Sequence, residues 1–309
     1  MTDVRSLRRG VSAAARSRRR AGSRKPWSPV NAVRRWLSGT DVGLLGLALA
    51  VGAATGGGAI GFRLLIQGLT QVFTGTADYA ATPGAAHAWL PQLGRWFVLI
   101  PPVVSGLLYG PLVQWGAPQA RGHGVPEVMY AVARRGGRIP PRVAVVKSLA
   151  SALCIGGGGS VGREGPIVQI GSALGSTLGR AVRVPEDRLR LLVACGAAGG
   201  IAATLNAPLA GVVFAMEIIL RDFAARSFGM VVVSSVTASV VARAVLGDHA
   251  FLDLPHFSVG HVAAYGLFAL LGVLAGVIGV AFIRVLYGSE DLADRIWRGP
   301  AWADRKSVV

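Results

Sequence analysis

The sequence predicts an all-α, polytopic membrane protein, and three observations carry that expectation. Hydrophobic residues make up 52% of the chain and charged residues 15%, with a mean hydropathy of +0.52, far from the balance of an average soluble domain. Uncharged runs at 42–62, 96–120, 191–216 and 254–283 each reach the roughly 17–25 residues needed to cross the hydrocarbon core. Shorter uncharged runs at 148–162, 165–179 and 227–242 are too brief for simple spans. They read as tilted, broken or re-entrant helices lining a protein-filled interior.

The net charge of +17 is unevenly placed. Residues 1–37 hold eleven Lys/Arg, from Arg5 to Arg35, against the single acid Asp3, the composition of a solvated, disordered tail. No ordered motif supports a targeting segment or a nucleic-acid arm there, so nucleic acid is not an expected partner. The first apolar run begins too far from Met1 for a cleavable signal peptide. Two crossings, 42–74 and 95–115, separate this tail from a second basic loop formed by Arg134, Arg135, Arg138, Arg142 and Lys147. The segment 75–94 between them carries only Asp78. Both basic segments fall on one side, which the positive-inside rule makes cytoplasmic.

Between the crossings stand two glycine–proline helix starts. In Arg121-Gly122-His123-Gly124-Val125-Pro126-Glu127-Val128, an apolar crossing ends in glycines and a short helix opens. Pro126 falls in its first turn and Glu127 near its positive end. In Gly156-Gly157-Gly158-Gly159-Ser160-Val161-Gly162-Arg163-Glu164-Gly165-Pro166, a charged break separates two apolar helices. A charged side chain at a membrane helix centre costs at least about 2.5–3.5 kcal/mol on insertion scales, so Arg163 and Glu164 point to ion chemistry within the bilayer. Pro166 suits the first turn, and the preceding glycines leave backbone N–H groups uncovered where the helix dipole is positive. Paired helix starts of this kind are a recurrent anion-binding device in transporters. The formal match of Gly157-x-Gly159-x-x-Gly162 to a dinucleotide fingerprint lacks the strand and βαβ unit that such a site needs.

The third motif is Asn206-Ala207-Pro208-Leu209-Ala210-Gly211. Asn206 is expected to cap the helix whose first turn holds Pro208. Glu217, further along, is a membrane carboxylate by position, with an ion pair to the nearby charges at Arg221 and Asp222 as the alternative. The small residues of 194–203 and 207–211 suit close helix packing. Cys154 and Cys195 lie in small-residue apolar helices as buried thiols, and no metal-ligand spacing exists among cysteines and the five scattered histidines. No acid/base or metal constellation of a membrane-embedded enzyme is visible, so neither enzymatic activity nor a cofactor is expected.

In order and separation, Gly122-His123-Gly124-Val125-Pro126-Glu127, Gly162-Arg163-Glu164-Gly165-Pro166 and Asn206-Ala207-Pro208-Leu209-Ala210-Gly211 resemble the CLC chloride channels and chloride/proton antiporters. The resemblance covers about 38–303. It implies a homodimer in the lipid bilayer, each subunit with its own pathway for chloride or another small anion, built on two inverted repeats. This chain would hold the first repeat and the start of the second. It further implies that Glu164 is the gate, and that Gly122, His123, Gly124, Val125, Arg163 and Gly165 contribute anion sites.

Three departures shape the expectation. The family places a serine at His123; a neutral imidazole N–H would replace that donor, and a protonated one would hold anions better at low pH. The antiporters carry an inner proton glutamate at the position of Ile218, whose aliphatic side chain binds no proton, so the resemblance favours a channel over an antiporter. The family's Gly-x-Phe-x-Pro motif and late pore tyrosine are absent, and 304–309 looks like translated adapter sequence. The expected organisation is therefore a basic tail at 1–37, an incomplete transmembrane domain at 38–303 and a non-native end at 304–309, unable to transport alone. A membrane scaffold binding lipid or nucleic acid through the tail is the remaining alternative.

Overall fold

The computed structural model describes residues 29–76, 91–120, 122–248 and 261–296. All regular structure among them is helical, as expected. The helices are α1 (Pro29–Gly39), α2 (Asp41–Thr74), α3 (Ile100–Gly116), α4 (Val125–Arg134), α5 (Pro141–Gly156), α6 (Glu164–Val182), α7 (Glu186–Leu205), α8 (Pro208–Phe214), α9 (Ala225–Leu246) and α10 (Ala263–Ile296). A 3₁₀ stretch, Pro91–Leu99, runs straight into α3, and α8 continues as a π-helical turn, Ala215–Leu220. Five segments are long and apolar enough to cross a membrane: Asp41–Thr74, Trp96–Gly116, Glu186–Leu205, Ala225–Leu246 and Ala263–Ser289.

Two expectations about these segments are corrected. The run 227–242 belongs to a helix of 22 residues, long enough to span at 1.5 Å per residue; the basic residues Arg226 and Arg243 at its ends shortened the uncharged run, not the helix. The run 191–216 is not one span, because the chain breaks at Asn206. The runs 148–162 and 165–179 belong to helices of 16 and 19 residues, α5 and α6, separated by the glycine-rich break; neither is among the five spans.

Helix α1 begins at Pro29, inside the segment expected to be a disordered tail; residues 1–28 lie outside the described residues. It packs onto the first turn of α2, where a Cβ on Gly43 would meet Leu37 Cα at 2.6 Å. Thr40 caps α2 by accepting a hydrogen bond from Gly43 N at 3.0 Å. Asp41 then pairs with Arg188 of α7 at 3.4 Å and with Arg226 of α9. Arg188 also donates to the carbonyls of Ser38 and Thr40, each at 2.9 Å. One end of the bundle is thus tied together by arginines reaching back to a helix start.

The core follows from small residues. Along α2 the buried positions Leu44, Leu47, Ala48, Val51, Gly52, Thr55, Gly56, Ala59 and Phe62 recur at helical spacing on one face. Gly52 and Gly56 lie against Ser234 and Ala238 of α9. At the crossing of α6 and α7, Gly171 and Gly196 touch backbone to backbone, and a Cβ on either would strike the other's carbonyl. Without Cβ atoms the helix axes approach closely and dispersion contacts accumulate, which is what drives packing where lipid is as apolar as the protein. Buried hydroxyls bridge helix interfaces as well: Ser172 to the Val193 carbonyl at 3.2 Å, Ser234 to that of Cys195 at 3.0 Å, Ser235 to that of Pro208 at 2.7 Å. The expected close packing of 194–203 with 207–211 is present, with Gly211 against the Ala198 carbonyl. Helix α10 exposes its apolar side chains along nearly its whole length.

Candidate functional site

The site is built where two helix starts meet. The loop before α4 carries Gly122 (φ +81°) and Gly124 (φ +95°), left-handed conformations that exclude most side chains. Gly124 N donates to Glu127 Oε2 at 2.8 Å, so the carboxylate of the first turn closes back on its own helix start. Space over Gly122 is filled by the same carboxylate, which a Cβ there would strike. Glycines and one glutamate of the same segment thus shape the turn locally.

The second start, Arg163 with Glu164 as the first residue of α6, docks directly onto the first. The His123 carbonyl abuts the α-carbon of Gly165, and the Gly165 carbonyl abuts Gly124. Gln169, one turn further along α6, donates through Nε2 to the Gln119 carbonyl at 2.8 Å. The Glu164 carboxylate folds back over Gly162, where Oε2 occupies the space a Cβ would need.

A cavity of about 550 Å³ opens where the two starts meet. Gly122, His123, Val125, Glu164 and Gly165 line it, so five of the seven sequence-derived anion-site candidates share one wall. Gly124 is buried behind it. Arg163 faces a different, smaller cavity, although it neighbours Glu164 in the chain. Ile218 lies away from both, half-buried against the apolar core.

The residue that sequence reasoning missed is Lys147. Counted with the exposed arginines as part of a basic loop, it instead sits in α5 at 3% exposure. Its Nζ donates to the Ala120 carbonyl at 3.1 Å and the Gly122 carbonyl at 2.7 Å, and it lines the cavity beside Ser151 and Cys154. Its signal was available: Val143, Lys147, Ala150 and Cys154 are all buried at i, i+4, i+7 and i+11, a single charge on an otherwise apolar helical face. Phe282 and Leu286 of α10 complete the lining. Cys154 and Cys195 are buried and unbridged.

The third motif is corrected. Asn206 does not cap α8; it terminates α7 in the left-handed conformation (φ 55°), and Ala207 precedes α8 with no side-chain cap. Its amide instead gathers side chains from α9 and beyond, accepting from Arg243 and donating to Asp248 at 2.9 Å. Glu217 is exposed in the π-helical turn and, among the described residues, makes no ion pair with Arg221; Asp222 accepts from Ala224 N at 3.1 Å instead. The left-handed Arg221 (φ 55°) ends that turn, which separates the two side chains.

Two apposed helix starts, the buried Lys147 ammonium and the Glu164 carboxylate thus meet at one cavity inside a bundle of apolar helices. Residues 105–304 match the family described as voltage gated chloride channel. The chain is 39% identical over 204 residues to the H(+)/Cl(-) exchange transporter ClcA of Vibrio cholerae, covering 64% of this chain and 42% of that protein. It is 33% identical over 277 residues to the voltage-gated ClC-type chloride channel ClcB of Citrobacter koseri, covering 87% of this chain and 61% of that one. Its fold superposes on the crystal structure of a slow cyanobacterial Cl⁻/H⁺ antiporter with a TM-score of 0.71, at 26% identity, over 84% of this chain and 60% of the other. The chain belongs to the voltage gated chloride channel (CLC) family, as a multi-pass membrane protein. It spans about half the length of the curated relatives it matches.

Proposed function

We propose that this chain supplies the Glu164-gated wall of a chloride pathway across a membrane, with Gly122, His123, Gly124, Val125, Arg163 and Gly165 as its anion-site residues. The observation that carries this reading is the apposition of the two helix starts around one cavity, with the Glu164 carboxylate folded over Gly162 at its edge. A carboxylate there competes with a diffusible anion for the same positive helix end, and its displacement opens the way. The pathway operates in a homodimer, on the family resemblance. Its basic N-terminal segment faces the cytoplasm, on the side of the exposed Arg134, Arg135, Arg138 and Arg142. The test is chloride flux through liposomes holding the full-length protein. Glu164→Gln should raise flux and flatten its pH dependence, because the neutral amide no longer competes with chloride. Unchanged flux and unchanged pH dependence remove Glu164 from the gate.

The pathway is channel-like. Ile218 packs against the apolar core and Glu217 points out of the bundle, so α8 offers no protonatable group on its inner face to hand protons to Glu164. Proton-coupled exchange is the second reading, favoured by the 39% identity to a protein named as an exchange transporter. In that case His123, which lines the cavity with Glu164, is the titratable group to test first.

A further inference from the structure

A cavity of about 470 Å³ opens between the loop before α5 and the turn that joins α6 to α7. Arg138, Arg180 and Arg183 line it, with the apolar Pro140, Val184 and Leu189. No carboxylate is among the lining residues, and among the described residues none pairs with any of these three arginines. Glu186, the acid nearest to Arg183 in the chain, pairs with Arg190 at 2.5 Å and lies over Gly136.

The framework that holds the three is tied together by hydrogen bonds. The fully buried Ser176 donates to the Gly137 carbonyl at 2.7 Å and accepts from Ile139 N at 2.9 Å. Arg180 donates to the Ile139 carbonyl at 3.3 Å. These bonds clamp the loop that bears Arg138 onto α6. Arg183 closes α6 in the left-handed conformation (φ 62°), a position that glycine fills with less strain. A single cation in the last turn would answer the helix dipole. The positive-inside rule asks for charge on one side, not for convergence on one cavity. An arginine at a glycine-type position, lining one concavity with two others, points to an anionic ligand.

We propose that Arg138, Arg180 and Arg183 bind the phosphate of an anionic phospholipid from the adjoining leaflet. Planar guanidinium forks suit a tetrahedral oxyanion, whereas chloride would fill little of this cavity. Pro140, Val184 and Leu189 offer apolar surface to the glycerol and the first methylenes. Two neighbours place the membrane surface here. Helix α7, long and apolar enough to cross a membrane, begins at Glu186, so the cavity lies level with the hydrocarbon boundary. Helix α1 lies against the same turn, with Arg34 donating to the Ala181 carbonyl. It exposes Val33 and Trp36, side chains that suit a helix resting in the interface. None of the three arginines lines the Glu164 cavity, so the site stands apart from the transport reading. Only the assignment of the leaflet to the cytoplasm rests on the orientation proposed above.

Native mass spectrometry of the full-length protein titrated with phosphatidylglycerol tests the site, and Arg183→Gly is the informative variant. Glycine suits the left-handed turn, so this variant should melt no earlier than wild type while its dissociation constant for phosphatidylglycerol rises several-fold. Arg138→Gln should weaken binding likewise. Arg134→Gln removes an exposed arginine at the same end that does not line the cavity, and it should leave binding unchanged. Equal weakening by all three variants shows the general attraction of a basic surface and overturns the site, as does undiminished binding in Arg183→Gly. Phosphatidylcholine held as tightly as phosphatidylglycerol overturns it too. Inorganic phosphate that displaces the lipid at equal concentration transfers the site to a soluble anion and overturns the lipid assignment.

Discussion

The His123 carbonyl rests on the α-carbon of Gly165. This contact joins two motifs more than forty residues apart and sets the width of the cavity between them. Any side chain at 165 pushes the loop before α4 away from the start of α6.

Gly165→Ala should therefore destabilise the protein by about 1–3 kcal/mol, the usual penalty for overpacking a tight site, and lower chloride flux. Gly57→Ala is the matched control, since nothing lies within 4 Å of its added methyl; it should be neutral or slightly stabilising, as alanine is the better helix former. Thermal unfolding in detergent distinguishes the two, and equal melting of both variants refutes the wedge argument.

Lys147→Met removes the donor to the Ala120 and Gly122 carbonyls while keeping a long apolar stem. Leaving buried acceptors unpaired costs about 1–3 kcal/mol, so the variant should melt earlier. Its halide affinity should also fall, because the cavity loses a positive charge. Calorimetric chloride titration indistinguishable from wild type would show that the ammonium acts on the backbone alone.

His123→Ser should change the order of anion preference measured by reversal potentials across chloride, nitrate and fluoride. An imidazole N–H and a hydroxyl present donors of different reach to the same space, and only the imidazole gains a charge at low pH. Identical reversal potentials for both proteins would place His123 off the pathway.

Chloride moving down its gradient through the full-length protein should drag no fixed ratio of protons with it. A pH electrode in a proteoliposome suspension reads this directly. Sustained uphill proton movement at constant stoichiometry overturns the channel-like reading, and loss of that movement in His123→Ala would identify the carrier.

Much of the site was legible in the chain. Glycines before a first-turn proline predict a helix start wherever they fall, because the constraint is local: Gly122 and Gly124 need positive φ, and Pro166 needs no donor. Hydropathy located α2, α3 and α10 for the same reason, since length against bilayer thickness involves no neighbours. The positions that misled were those whose role depends on a partner. Lys147 looked like one more loop cation until α5 turned it toward the Ala120 and Gly122 carbonyls. Asn206 carried a capping side chain, but Arg243 and Asp248 claimed it.

What the sequence alone determined is a bundle of apolar helices broken at two glycine-rich starts, with a carboxylate at one of them. Backbone sterics and solvation fix those features residue by residue. Tertiary structure decided that the two starts share one cavity, that Lys147 faces into it, and that Arg163 faces a different cavity from its neighbour Glu164. Each of these is a contact between residues distant in the chain, set by how closely glycine-lined helices approach. Local propensity carries no record of that approach.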